Sequence, residues 1–126
     1  MKRTFLYAKL HQACVTQADL HYEGSFAIDE DILEASSILE NEQIQIYNIT
    51  NAQRFTTYAI KAPRGSRTMA ANGACARLVS PGDRVIICAY AEMEPHEWQH
   101  FEPTVLFLNE KNQYVKKSKT PEWVAA

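Results

Sequence analysis

The 126 residues contain few cysteines: Cys14, Cys75 and Cys88. Their number is odd and no Cys-x-x-Cys spacing occurs, which argues against a disulfide framework and a structural zinc site. Reduced thiols in a cytoplasmic protein are the simpler reading. Long apolar runs are missing as well. Phe5-Leu6-Tyr7-Ala8 follows a basic start but stops at Lys9, too short for a signal-peptide core. The longest run, Val85 to Ala91, falls far below the ~20 residues of a membrane span. Asn48-Ile49-Thr50 matches a glycosylation acceptor, which carries no meaning without a secretory signal. There is no basic excess either. Lys and Arg total 13 against 15 Asp and Glu, for a formal charge of -2. Nothing is left over to neutralise phosphates, so nucleic acid is not an expected partner. Lys116, Lys117 and Lys119 read as a solvated tail.

Repeats, low-complexity stretches and linkers are also lacking, so residues 1–126 read as one domain. Hydrophobic residues make up 46% of the chain, enough for a core. A domain this small buries limited surface, and oligomerisation would help it. Short alternating runs separated by turn residues dominate. From about Arg3 to Val15 alternation puts Phe5, Tyr7, Lys9 and His11 on one face and Leu6, Ala8, Leu10 and Cys14 on the other. A polar loop is expected from Thr16 to Gly24. Asp29 suits the N-cap of a short helix carrying Ile32, Leu33 and Ala35. Gln43 to Ile49 and Arg54 to Ile60 read as strands. Turns follow at Pro63-Arg64-Gly65-Ser66, Asn72-Gly73 and Ser80-Pro81-Gly82-Asp83. Arg84 to Met93 reads as a buried strand, Pro95 to His100 as one helical turn, and Thr104 to Leu108 and Gln113 to Lys117 as late strands. The fold class is mainly β, a small barrel with one or two short helices.

His96-Glu97-Trp98-Gln99-His100 matches the zinc-peptidase pattern HExxH. That chemistry needs a long, rigid helix presenting both histidines, and a third ligand. Pro103 ends any helix begun at Pro95 within two turns, so the motif reads as a surface turn, and no metal is expected.

The informative segment is His21-Tyr22-Glu23-Gly24-Ser25. With Lys9-Leu10-His11, Asp19-Leu20, Ala27-Ile28-Asp29, Ile38-Leu39-Glu40-Asn41-Glu42 and Asn48 it forms an ordered set of blocks. The set continues through Thr50-Asn51, Arg54-Phe55, Thr57-Tyr58-Ala59-Ile60, Arg64-Gly65-Ser66 and Asn72-Gly73-Ala74. Together these blocks resemble the pyruvoyl-dependent aspartate decarboxylases over roughly the first ninety residues. The resemblance implies a double-psi β-barrel, a homotetramer, and conversion of L-aspartate to β-alanine and carbon dioxide on the way to pantothenate and coenzyme A. It also implies an inactive proenzyme that cuts itself between Gly24 and Ser25. The products are a β chain, 1–24, and an α chain, 25–126, whose pyruvoyl cofactor derives from Ser25. Some relatives use an acetyltransferase-like maturation factor, and that partner is left open.

The residue types suit those roles. Ser25 Oγ can close a five-membered ring on the Gly24 carbonyl, and Gly24 admits backbone angles that other residues resist. The resulting ester can undergo β-elimination, and hydrolysis then leaves the ketone. The resemblance makes Thr57 and Asn72 donors to the transient oxyanion. It makes the pyruvoyl group the Schiff-base partner of the substrate amine, and Tyr58 the proton donor. Arg54 and Lys9 are expected on the substrate carboxylates, where an arginine fork fits well. Gly73-Ala74-Cys75 corresponds to a substrate-contacting turn, with Tyr22 and His11 lining the same cavity. Alternation puts Arg54 and Tyr58 on one strand face and Thr57 on the other, so Thr57 reaches a shared pocket only through a bulge or strand end. The chain departs from the family at Cys75, where alanine is usual, at Tyr47, where tryptophan is common, and at Phe26. Two other functions compete: a small zinc peptidase using His96, Glu97 and His100, and a non-catalytic β-barrel binding module.

Overall fold

The computed structural model describes residues 1–116 of the chain. Nine strands and two short helices follow one another. Strand β1 (Arg3–Cys14) leads to β2 (Gln17–Asp19) and β3 (Phe26–Asp29). Helix α1 (Glu30–Ser36) precedes β4 (Gln43–Asn48) and β5 (Arg54–Ala62). Next come β6 (Met69–Asn72), a 3-10 turn over Gly73–Arg77, and β7 (Arg84–Met93). Helix α2 (Pro95–Trp98), β8 (Thr104–Leu108) and β9 (Tyr114–Lys116) complete the described residues.

The strands form one mixed sheet in the order β2-β6-β3-β5-β4-β7-β1-β8-β9. Its two halves are joined by the chain itself. Where β1 runs on towards β2, Val15 N–H donates to Asp83 O at 2.9 Å and Thr16 N–H to Met69 O at 2.8 Å. The path from β2 round to β1 thus returns on itself, in agreement with the expected mainly-β barrel. Closure is a general way for a small sheet to remove exposed edges. Leu10, Phe26, Ile28, Ile44, Ile46 and Ile87 are fully enclosed in the core. Each contributes roughly 1.5–3 kcal/mol relative to an exposed position.

Asp29 caps α1, accepting from Asp31 N–H at 2.9 Å, and it does more. Its carboxylate also accepts from Gly65 N–H at 3.0 Å and Arg67 N–H at 2.7 Å, fastening the Pro63–Ser66 turn to the end of β3. Alternation in β1 holds from Ala8 to His11. It breaks where the register with β7 shifts, between Leu6 and Ala8 and again between Leu10 and Ala13. Gln12 sits in the second shift with a φ of 64°.

Two expectations need correction and one is refined. The polar loop from Thr16 to Gly24 contains a strand, β2, because Gln17–Asp19 pairs in parallel with Ala70–Asn72. The turn expected at Asn72-Gly73 is present as a 3-10 turn that begins at Gly73, at a φ of 67°, with Asn72 ending β6. The last strand is shorter than Gln113 to Lys117, and Lys117 lies outside the described residues.

Candidate active site

Residue 25 is held by its own carbonyl. Ser25 follows a bend and directly precedes β3, which is buried along its whole length. Its carbonyl oxygen accepts from Asn72 N–H at 2.8 Å and from the Cys75 thiol at 3.2 Å. These donors are available because β6 lies antiparallel beside β3, Phe26 facing Ala71, so Asn72 arrives next to Ser25. The 3-10 turn then folds Cys75 back, with Leu78 N–H donating to Cys75 O at 3.0 Å.

Gly24 adopts a φ of 89°, in the left-handed region that side chains resist. A Cβ built on it would lie 3.0 Å from Ile60 Cδ1. Gly73 faces the same loop: a Cβ there would meet Tyr22 O at 3.5 Å and Gly24 O at 4.0 Å. Gly24, Ser25, Asn72, Gly73 and Cys75 therefore converge. Ala74, between the last two, is exposed. A cleft of about 640 Å³ opens beside them, lined by Tyr22, Asn72, Ile60, Ala27, Asp19 and Lys61. Tyr22 lies in this cleft, whose lining includes Asn72 but not Gly24, Ser25, Tyr58 or Cys75. His11 does not line it; it packs edge-on against Phe107 with ring centroids 5.3 Å apart.

Strand β5 flanks β3 on its other side. Phe26 pairs with Ala59 in parallel register, so Ser25 and Tyr58 are one step back on neighbouring strands. Tyr58 is exposed, as are Arg54 and Thr56, whereas Phe55, Thr57 and Ala59 turn inward. The pairing of Arg54–Tyr58 with β4 runs without a register shift. No bulge therefore brings Thr57 to the face that carries Tyr58.

Lys9 and Arg54 lie elsewhere on the barrel. Arg54 is four residues before Tyr58, about 13 Å along an extended strand, and stacks over the Tyr47 ring with 4.2 Å to its centroid. Lys9 pairs with Cys88, Cys88 with Gln45, and Gln45 with Thr56, which sets Lys9 three strand spacings from β5. Tyr47 and Tyr90 join through their hydroxyls at 2.8 Å. Burial pushes the Cys88 thiol up, against the pull of Tyr90, Lys9 and Arg54. Burial also raises Tyr90, helped by its bond to Tyr47. This outer face is a second polar cluster, and a single chain does not bring it to Ser25. Sequence reasoning missed Tyr90 and Cys88, because a run of Arg84 to Met93 reads as core throughout.

The HExxH segment lacks a metal-binding arrangement. Helix α2 has four residues, and Glu97 accepts from Glu94 N–H at 2.8 Å within a capping box. Trp98 stacks on Phe5 at 4.7 Å, so the helix acts as an apolar clasp on β1. Among the described residues no three His, Cys, Asp or Glu side chains are grouped to hold an ion.

These features define the class: a small mainly-β barrel with a glycine–serine pair held at a bend of left-handed backbone. Comparison with known proteins narrows it. The family model described as aspartate decarboxylase matches residues 1–115. The aspartate 1-decarboxylase of Maricaulis maris is 57% identical over 117 residues, covering 93% of this chain and 97% of that protein. The aspartate 1-decarboxylase of Caulobacter vibrioides is 57% identical over 94% of this chain and 99% of its own length. The aspartate 1-decarboxylase of Psychromonas ingrahamii is 55% identical over 94% of each. The chain belongs to the aspartate decarboxylase family.

Proposed function

We propose that this chain is an enzyme that decarboxylates L-aspartate to β-alanine and carbon dioxide, in the cytoplasm, as a step toward pantothenate and coenzyme A. The observation that carries the reading is the setting of Gly24-Ser25 within a chain of this family: a glycine at a φ of 89° followed by a serine whose carbonyl takes two donors. Such a bend suits attack of Ser25 Oγ on the Gly24 carbonyl, because the reacting groups are neighbours and glycine takes up the left-handed backbone without cost. The cut would leave a β chain, 1–24, and an α chain, 25–126. Thr57 and Asn72 are the candidates for holding the oxyanion, with Gly73 leaving room beside the Gly24 oxygen.

Residue 25 fits a pyruvoyl group. The carbonyl that would adjoin its ketone is already anchored by Asn72 and Cys75. A pyruvoyl ketone supplies an electron sink for the departing carboxylate, which no ordinary side chain can offer. Tyr58 is the candidate to return a proton to carbon, a reading supported by its exposure on the strand next to Ser25. Gly73, Ala74 and Cys75 would form the wall of the substrate site. Lys9 and Arg54 carry the charge to hold carboxylates, yet within one chain they lie at a distance from Ser25, Arg54 four residues along β5 from Tyr58 and Lys9 three strands away. A homotetramer, with the Lys9–Arg54 face of a neighbouring copy turned toward Ser25, would complete the site.

The test is formation of β-alanine from aspartate by purified protein, together with its loss in Ser25→Ala. Full activity in that variant would overturn the reading.

A further inference from the structure

The thiol of Cys75 is an unusual neighbour for the residue that is processed. Its Sγ lies 3.2 Å from Ser25 O and also 3.2 Å from Asn72 O. One proton thus serves two acceptors, which are equivalent while both carbonyls are neutral. Charge appearing on either oxygen would draw the proton there. The backbone N–H of Asn72 already donates to Ser25 O at 2.8 Å, so two donors meet at one oxygen. Both residues are buried, which strengthens polar contacts by excluding water. Burial also raises the Cys75 pKa, so the thiol keeps its proton near neutrality.

We propose that Cys75 S–H and Asn72 N–H together form a cradle for negative charge on the carbonyl oxygen of residue 25, and that this speeds the elimination step of self-processing. The inference rests on the reading of Gly24-Ser25 given above. In that step the Cα proton of residue 25 passes to water. Its electron pair closes the Cα–Cβ double bond, and the Cβ–Oγ bond breaks to release the Gly24 carboxylate. On the way, charge at Cα spreads onto the carbonyl oxygen beside it. Donors fixed at an atom where charge develops act on the transition state rather than the ground state. In the cut enzyme the same oxygen belongs to the amide beside the ketone, so the cradle stays in use. Where the family has alanine at this position, the backbone donor alone remains.

The experiment follows maturation of freshly purified precursor in the presence and absence of hydroxylamine, for the unmutated chain, Cys75→Ala and Cys75→Ser. Hydroxylamine captures the ester, leaving a hydroxamate on residue 24 and a sequenceable serine at residue 25. The alanine variant is expected to show a larger captured fraction and an elimination rate about fivefold lower, the effect of a hydrogen bond of ~1 kcal/mol. Serine keeps a donor and restores most of the rate. In matured enzyme kcat falls with the same ranking while KM for aspartate stays put. Equal captured fractions and rates in the alanine variant and the unmutated chain would overturn the role of Cys75, as would a serine variant as slow as alanine. An unmutated chain that yields neither ester nor a blocked end would instead overturn the underlying reading, and this inference with it.

Discussion

Asn72 donates its backbone N–H to the carbonyl of Ser25 at 2.8 Å, across the junction between β6 and the start of β3. That bond fixes the residue after Gly24 from its carbonyl side while leaving its N-terminal side in the bend. Holding the serine by its carbonyl while a glycine sets the bend before it favours an oriented internal attack.

Gly24 is the first place to test this. Gly24→Ala puts a Cβ 3.0 Å from Ile60 Cδ1 at a φ of 89°. Such strain costs on the order of 1–3 kcal/mol, so the bend relaxes and the hydroxyl loses its alignment. Cleavage followed on a denaturing gel is expected to slow by roughly tenfold or more. A normal rate would show that the positive φ is not needed.

A change at Tyr58 tests maturation and turnover separately. Its side chain is exposed on the strand beside Ser25, away from the inward-facing Thr57. Tyr58→Phe is expected to leave the cut intact and to lower kcat by at least about a hundredfold, the range of a positioned acid. Unchanged turnover would remove Tyr58 from the chemistry.

Asp29 was legible in the sequence as a helix cap, and its second task was not. Its side chain follows the capping pattern, but Gly65 and Arg67 are more than thirty residues away, and no local rule announces that a turn will dock there. Asp29→Ala is expected to lower stability by roughly 3 kcal/mol through a lost cap and two orphaned N–H groups, shifting Tm down by about ten degrees. A melting curve checks it; a shift of a degree or two would mean the turn holds itself.

The same contrast runs through the rest of the fold. Arg84–Met93 and Thr104–Leu108 were readable because apolar and β-branched residues fill them. Met69–Asn72 was not: Met-Ala-Ala-Asn has no β-branched residue and no alternation, and all four residues are buried. The faces of Arg54, Thr57 and Tyr58 followed from period alone. The separation of Lys9 and Arg54 from Ser25 did not, because it depends on strand order, which periodicity does not encode.

Alkaline pH offers a test of the buried thiols and Tyr90. Burial raises Cys75 and Cys88 above the ordinary thiol value of 9.0, and Tyr90 above 10.0. In the unfolded chain these groups lose their protons first. Their contribution is therefore complete below pH 9.0 and declines as pH rises from there through the folded values. Denaturant titrations above that point should show a steeper loss in the unmutated protein than in Cys88→Ala. Identical slopes would mean that Cys88 titrates alike in both states.

The bond between residues 24 and 25 is tested most directly by intact mass spectrometry of the purified protein. Two polypeptides are expected, residues 1–24 and 25–126, the larger with a carbonyl-reactive end and blocked to N-terminal sequencing. A single uncut chain of 126 residues that still makes β-alanine from aspartate would contradict self-processing at this bond.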